Sequence, residues 1–455
     1  MAISPARTVA FDILLRVDRE SSYASELLHS QGLEALSQAD RGLATEIVMG
    51  VLRWRSLLDD AIAGTSARAI GRLDVEVLTA LRVGAYQLRY LDRIPAHAGI
   101  NDSVELVKRA RKQSASAFVN AVLRKLSSSR PTHPKRADEW VTRGPIRSEI
   151  LKFDSGELAR EFAHPLWLVE RWVSTFGMDR ARRICGHDQQ VPATAIRIDD
   201  PAVEEELRSE GIQLVPGALM NSARVVADGE VTRTRAFHEG RLFIQDEASQ
   251  LVAALVGTGS RLLDCCAAPG GKTAALAARN PTAQILAAEL HSHRAELLRK
   301  RVRAGNVQVI QADALHLSPG EGFDRVLADV PCSGTGTLAR NPEIKWRLTA
   351  EDLADLHQRQ VGILRAALRQ LTPGGRAVYS TCSLEREEGE AVVEEVLQGA
   401  PEYKLRDMRD ELEQLRASGE LAWAEVDSLI SGKFLRTVPG LHPSDGFFAA
   451  EIEKQ

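Results

Sequence analysis

The run Arg261-Leu262-Leu263-Asp264-Cys265-Cys266-Ala267-Ala268-Pro269-Gly270-Gly271-Lys272-Thr273 decides the fold of the larger part of this chain. Its first five residues read as a short strand, and the small residues and paired glycines that follow read as a tight turn opening a helix. Strands are expected at residues 261–265, 284–288, 307–311, 324–329 and 375–380, each separated from the next by helical sequence. Nearly continuous apolar strands alternating with helices indicate a parallel sheet covered on both faces, the doubly wound α/β class. Ligands of such sheets bind beyond the carboxyl ends of the strands. The Cys266-to-Lys272 turn lies at that edge, where residues without bulky side chains let a ligand approach the backbone and a helix start offers free N–H groups.

Two nucleotide motifs can be tested on this turn. The dinucleotide pattern G-x-G-x-x-G is absent. The phosphate loop G-x-x-x-x-G-K-[ST] is matched only at its end, by Gly271-Lys272-Thr273, because Cys266 stands where its first glycine belongs. Eighteen residues after Gly271 the next strand ends at Glu289, a carboxylate suited to both hydroxyls of a ribose. The strand after it leads to Asp313, placed to reach an adenine or an amino group. A turn without a phosphate signature next to a ribose-binding acid points to an adenosine ligand lacking phosphates, and S-adenosylmethionine fits that description.

Two cysteines emerge at the same edge. Cys332 follows the strand ending at Asp329, in Val330-Pro331-Cys332-Ser333-Gly334-Thr335-Gly336, and Cys382 follows the next, in Ser380-Thr381-Cys382-Ser383. C5 of a pyrimidine is a poor nucleophile. A thiolate added to C6 makes C5 an enamine carbon able to attack a sulfonium methyl group, and the C5 proton must leave before the thiolate is eliminated. That chemistry needs a thiolate, an acid near N3 and a base, which Cys382, Asp329 and Cys332 can supply; on the residues alone the two thiols are not ranked. No metal is expected, since the thiols lack chelating spacing and His291-Ser292-His293 has no i, i+4 geometry.

Outward from this region, residues 1–140 read as helix after helix, with Val9, Ile13, Leu14 and Val17 on one face. Further helices are expected at 41–63, 73–90, 101–112 and 115–127, with Asp40, Asn101 and Ser114 as caps. Lys108, Arg109, Arg111, Lys112, Arg124 and Lys125 form a basic cluster suited to phosphates. Ser127 to Arg147 reads as a linker. Residues 150–240 read as a small α+β subdomain, with a strand at 194–198, a helix at 201–211 and a strand at 241–244 that leads into the catalytic part, residues 241–455.

The 455 residues are 44% apolar and 26% charged, an ordinary globular composition. No stretch without a charged residue exceeds 13 residues, short of a membrane span, and Arg7 and Asp12 interrupt any apolar leader, so a cytoplasmic protein is expected. Five cysteines without regular spacing fit reduced thiols. The net charge of -4 hides an asymmetry: residues 1–140 carry 20 Lys/Arg against 16 Asp/Glu, and residues 383–455 carry 8 against 17.

The stretches around Cys266, Cys332 and Cys382, taken together and in this order, resemble the Sun/Fmu (RsmB) family of RNA cytosine-C5 methyltransferases. The resemblance extends to Gln245-Asp246-Glu247-Ala248-Ser249, to Arg340-Asn341-Pro342-Glu343-Ile344-Lys345-Trp346 and to Asp445-Gly446-Phe447-Phe448. It includes the N-terminal part, where Asp40-Arg41 to Arg53 and Phe118 to Arg124 are similar to the family's NusB-like RNA-binding domain. The resemblance implies that Cys266, Ala267, Ala268, Pro269, Gly270, Gly271, Lys272, Glu289, Asp313 and Asp329 contact S-adenosylmethionine. It also implies that Cys382 is the nucleophile and that Cys332 helps release the product. Glu289 stands where many members have Asp, and Arg197-Ile198-Asp199 where relatives often have Arg-x-Asn.

The expected architecture is therefore an all-α NusB-like domain, a small α+β connecting subdomain and a Rossmann-like methyltransferase domain. The expected reaction is methyl transfer to a cytosine C5 of 16S rRNA, free or in an early assembly intermediate, by a monomer. The target base is expected to flip toward Cys382, with Trp346 and Arg347 helping to hold it. Another RNA such as tRNA is the alternative substrate. A phosphate-loop NTPase with Asp329 as its strand-ending acid, and a noncatalytic RNA-binding factor, are the readings from other classes. An exocyclic-amine methyltransferase would need an Asn/Asp-Pro-Pro-aromatic run where Asp329-Val330-Pro331-Cys332 stands.

Overall fold

A computed structural model of the chain describes residues 3–20, 22–28, 36–128, 154–317 and 322–455. Most of the expected linker, Ser127 to Arg147, lies outside the described residues; Ser127 and Ser128 themselves close a helix. The chain divides into two compact units, Met1–Val191 with Leu338–Arg347, and Pro192–Thr337 with Leu348–Gln455. Among the described residues no helix is long and apolar enough to cross a membrane.

The first unit is helical, as its 3.6-residue apolar period requires. Pro5–Glu20 buries Ala10, Phe11, Leu14 and Val17 along one stripe, and Val75–Tyr90 is buried on nearly every side, Thr79, Arg82 and Gln87 included. The expected helix over 41–63 is two, Gln38–Arg53 and Arg55–Ser66, with a break at Trp54. Its cap is Ser37, whose hydroxyl accepts from the Asp40 N–H at 3.1 Å; Asp40 stands inside the first turn, where its charge suits the helix dipole. Asn101 also falls inside a helix, Ala96–Arg109, which starts after Pro95, and Ser114 lies in a short 3-10 turn before Ser116–Ser128.

Residues 155–188 form three helices of this first unit, Ser155–Glu161, Leu166–Phe176 and Met178–Asp188. The α+β segment thus begins near residue 194 rather than at 150. Trp172 at 1% exposure and Leu168, Val169 and Ile184 supply the apolar stripe that makes these helices pack.

The second unit contains two sheets. The smaller has the order β2-β3-β1-β4, formed by β1 (Thr194–Ile198), β2 (Gln213–Pro216), β3 (Ala223–Asp228) and β4 (Leu242–Ile244), all paired antiparallel. The larger is built on β5 (Arg261–Asp264), β6 (Gln284–Glu289), β7 (Val307–Gln311), β8 (Phe323–Asp329) and β9 (Leu371–Thr381). These five run parallel in the order β9-β8-β5-β6-β7, so the expected doubly wound sheet is present, with its direction of winding reversing between β5 and β8.

An antiparallel extension was not anticipated from the sequence. β10 (Tyr403–Leu405), β11 (Ile430–Ser431), β12 (Phe434–Thr437) and β13 (Phe447–Lys454) extend the β9 edge, giving nine strands among the described residues. β13 pairs with β9 from Phe448↔Thr381 to Glu453↔Arg376, and its residues 447–452 are all buried, as a strand covered on both faces must be.

Candidate active site

β5 ends at Asp264, which is 1% exposed and accepts a hydrogen bond from the Thr273 hydroxyl at 2.7 Å, tying the strand end to the first turn of the helix Gly271–Arg279. Burial pushes the Asp264 carboxyl up to about 7, against the lowering effect of that hydrogen bond. Between strand and helix the chain makes the Cys266-to-Gly270 turn. Gly270 has φ +110°, and a Cβ there would stand 2.8 Å from Leu298 and Val302, so only glycine fits. The Ala267 N–H donates to the Ala288 carbonyl at 3.0 Å, and Arg294 donates to the Ala268 carbonyl at 3.3 Å, which fixes the turn against β6.

The other expected ligand residues stand at the carboxyl ends of neighbouring strands. Glu289 ends β6, is 5% exposed and accepts from the His291 N–H at 3.0 Å. Asp313 follows β7 and caps a short turn by accepting from Leu315 N–H at 3.0 Å; that bond and His316 hold its carboxyl below the ordinary value. Asp329 ends β8, opposite Ser380 in the register, and accepts from the Ser380 hydroxyl at 2.8 Å. Its other oxygen lies 2.7 Å from Lys272 Nζ. Burial opposes the Lys272 charge, yet Asp329, together with Cys382 and Asp264, keeps the ammonium above its usual value. Lys272 also sits 5.1 Å from the centre of the Phe447 ring. A lysine engaged in this way is not presented to phosphates, which removes the main support of the phosphate-loop reading.

The two thiols meet here. Cys332 Sγ and Cys382 Sγ are 3.1 Å apart, each half-buried. The hydrogen bond with Cys382, loss of solvent and the nearby charges of Glu388 and Asp329 all hold the Cys332 thiol well above its ordinary value. Cys265 and Cys266 are pushed up by burial, as is Cys185 in the first unit. Cys185 is fully buried in its helix and serves as a small apolar residue.

Several residues make contacts at the site that the sequence alone does not disclose. Glu388, 0% exposed, binds both cysteine turns: its carboxylate accepts from Ser333 N–H at 2.8 Å, from the Ser333 hydroxyl, from the Ser383 hydroxyl at 2.5 Å and from Gln360 Nε2 at 2.9 Å. Gly336 N–H donates to the Cys382 carbonyl at 2.9 Å, closing the same link through the backbone. Arg197, 3% exposed, reaches from β1 to the glycine turn and donates to the Gly271 carbonyl at 2.7 Å and to Gln245 at 3.2 Å. The residue after next, Asp199, is its ion-pair partner at 3.0 Å. Gln245 and its two neighbours divide three tasks. Gln245 holds Arg197, Asp246 accepts from the N–H groups of Ala248 and Asp445, and buried Glu247 accepts from the N–H groups of Ala218, Leu219 and Met220.

Trp346 and Arg347 are committed within the first unit. The Trp346 indole N–H donates to the Leu52 carbonyl at 2.6 Å, and Arg347 donates to the Ser22 carbonyl at 3.2 Å and covers the Tyr23 ring. Their expected contact with a flipped base finds no support in these partners.

Comparison with known proteins shows the family. The pattern of the 16S rRNA methyltransferase RsmB/F family matches residues 255–453, and that of the NusB family matches residues 4–128. A probable ribosomal RNA small subunit methyltransferase B of Synechocystis is 32% identical and covers 99% of each chain. Its counterpart of the same description in Bacillus subtilis is 29% identical over 100% of each chain. Among solved structures, the protein PH0851 superposes with a TM-score of 0.78 at 23% identity over 100% of both chains, which shows the shared fold. A methyltransferase homolog from Pyrococcus horikoshii gives a TM-score of 0.53 at 25% identity, covering 66% of this chain and 99% of that one. With its NusB-like helical part and its doubly wound sheet, this chain belongs to the RsmB/F family of 16S rRNA methyltransferases.

Proposed function

We propose that the protein transfers a methyl group from S-adenosylmethionine to C5 of a cytosine in small-subunit ribosomal RNA, through a covalent bond between Cys382 and C6 of the base. The observation that carries this reading is the pair of thiols 3.1 Å apart beside the Lys272–Asp329 ion pair. The residues at the strand ends fit the cofactor: the small-residue turn Cys266 to Gly271 that leaves the backbone approachable, the Glu289 carboxylate for ribose hydroxyls, Asp313 for the adenine side, and Asp329 toward the amino group. When bound, S-adenosylmethionine supplies an electrophilic sulfonium methyl group.

The remaining steps belong to the chain. Cys382 attacks C6 as the thiolate, its proton passing to solvent, while Cys332 stands beside it as the thiol 3.1 Å away. The S–C6 bond forms as the C5=C6 pair moves to C5, and the Lys272 ammonium, ion-paired with Asp329, is available to hydrogen-bond N3, where charge develops. C5 then takes the methyl group. Once Cys382 is bound to carbon, it no longer contributes the hydrogen bond and charge that hold the Cys332 thiol up, so Cys332 can give its proton to solvent and stand as the thiolate that acts as base. It removes the C5 proton, the electron pair re-forms C5=C6, and the C6–S bond breaks. The base must leave its stack to reach this site. The helical N-terminal part is assigned to RNA binding, the site of action to the cytoplasm, and the substrate to free 16S rRNA or an early assembly intermediate.

Transfer of labelled methyl from S-adenosylmethionine to undermethylated small-subunit RNA, followed by mapping of 5-methylcytosine, tests the proposal. Label is expected at one cytosine and is expected to vanish with Cys382→Ala. Full turnover by that variant would overturn the mechanism.

A further inference from the structure

We infer that the helix Ser292–Arg301 and the turn after it form a docking surface for the phosphodiester backbone of the RNA substrate, separate from the N-terminal helical part. The inference rests on the RNA reading above. Residues 290–303 contain Arg294, Arg299, Lys300, Arg301 and Arg303 against a single acid, Glu296. Among the described residues none of these five cations lies within 4.0 Å of a carboxylate. Their side-chain partners are carbonyls: Ala268 for Arg294, Val309 for Arg299, and Lys300 and His238 for Arg303. All but Arg294 are exposed.

Half of the N-terminal basic cluster behaves differently, whereas Arg124 and Lys125 bond Asn120 and the Thr65 carbonyl rather than a carboxylate. Lys108 pairs with Glu105 at 2.7 Å, Arg109 takes both oxygens of Asp12, and Lys112 pairs with Asp74 at 2.8 Å. A cation whose charge is already met by a carboxylate releases little to a phosphate. The five unpaired cations keep theirs.

A helix dipole accounts for part of this charge, since cations are favoured at a helix C-terminus, where Arg299, Lys300 and Arg301 stand. It does not account for Arg294, which stands in the first turn with His293, where a cation is unfavourable, or for Arg303 beyond the helix end. Placement supplies the remaining argument. The helix begins three residues after Glu289, at the carboxyl edge of the sheet, and Arg294 touches the glycine turn. A 10-residue helix then carries positive charge about 15 Å away from that edge. RNA on either side of a base held at the thiols is a polyanion that needs such a track, and contacts of this kind give affinity without sequence readout.

The test is the salt dependence of RNA binding by the full-length protein, comparing the unsubstituted chain with the triple variant Arg299→Gln, Lys300→Gln, Arg301→Gln and the single variant Arg303→Gln. Each lost phosphate contact reduces the slope of log affinity against log salt by roughly 0.7 for single-stranded RNA, so the triple variant should flatten it by about 2 and the single variant by less than 1. The KM for RNA should rise at least about tenfold in the triple variant while kcat stays within about twofold. Coincident salt slopes would overturn the inference, as would an acidic protein competing for this helix while RNA does not. If the unsubstituted protein methylates no RNA cytosine but the triple variant still loses RNA affinity, the docking surface stands and the proposed reaction falls. If methylation is intact and RNA affinity is unmoved, the reverse holds.

Discussion

The Sγ atoms of Cys332 and Cys382 lie 3.1 Å apart although 50 residues separate them in the chain, so one thiol sets the protonation of the other. With Cys332 replaced by Ala, the attack by Cys382 should survive and elimination should not. Turnover is expected to fall at least about a hundredfold, the usual scale for a lost general base. A slow-migrating protein–RNA band should accumulate on a denaturing gel. The double variant with Cys382→Ala should show no band, which separates a covalent adduct from tight binding.

Glu388 gives the second prediction. It holds Ser333 and Ser383, the residues immediately after the two cysteines, and replacing it by Ala removes four hydrogen bonds and leaves the buried Ser333 N–H and at least one of the serine hydroxyls short of an acceptor. Each unsatisfied buried group costs about 1–3 kcal/mol, so Glu388→Ala should destabilise the fold by several kcal/mol in chemical denaturation. Glu388→Gln keeps the shape and restores part of the stability. Because its amide cannot accept all of these donors at once, the distance between the thiols should relax. Its kcat should then fall by more than its KM for either substrate changes, a split that a purely structural role would not produce.

How far the sequence carried this reading depends on the kind of signal. The glycine turn, Glu289, Asp313 and the two cysteines announce themselves because their residue types are unusual at strand ends, and the alternation of apolar strands with helices places them on one edge. Glu388 gives no such signal: it stands in the charged run Glu385-Arg386-Glu387-Glu388, and its buried carboxylate is bound by Ser333 and Gln360, 55 and 28 residues away, together with Ser383. Arg197 was noticed for its neighbourhood but not for its contact with Gly271, a pairing across 74 residues that no local pattern encodes. The helices at 155–188 were missed because the apolar stripe around Trp172 is short and the segment adjoins true strands. Asp40 offers an acceptor where the helical pattern begins, but Ser37 three residues earlier is the cap, its hydroxyl donating to the Asp40 carboxylate and accepting from the Asp40 N–H.

Asp264 makes the stability of the fold depend on pH. Burial raises its carboxyl to about 7, so between the ordinary carboxyl range and pH 7 the unfolded chain gives up this proton and the folded chain keeps it. Its contribution is fully present at low pH and is lost as pH rises through about 7. Asp264→Asn, which still accepts from Thr273, should not suffer this loss. Relative to the unsubstituted protein, the variant should gain on the order of 3 kcal/mol between pH 4.5 and pH 7 in denaturant midpoints converted with a common slope. A difference that stays flat across that interval would show that the carboxyl ionises freely in the folded chain.

Lys345 makes the opposite prediction in the first unit. Its side chain is 1% exposed, and its ammonium donates to the carbonyls of Arg53 and Ala163, both at 3.0 Å, with no carboxylate bonded to it among the described residues. Burial lowers it to about 7, opposed by Asp188 and Cys185 and assisted by Arg53. His164, itself lowered to about 4 by burial and by Lys345, is hydrogen-bonded to Asp188 at 3.2 Å and adds no compensating charge. Because the folded chain loses this proton near pH 7 while the unfolded chain holds it until about 10.5, stability from this group is present at high pH and is lost as pH falls toward 7. Lys345→Met removes the titration and leaves the Ala163 carbonyl short of a donor, so it should be less stable than the unsubstituted protein at pH 9.5. That disadvantage should shrink by about 3 kcal/mol on going to pH 7, where holding a buried ammonium is costly. A disadvantage that grows toward pH 7 would mean that the charged form is the stabilising one and that the two carbonyls solvate it fully.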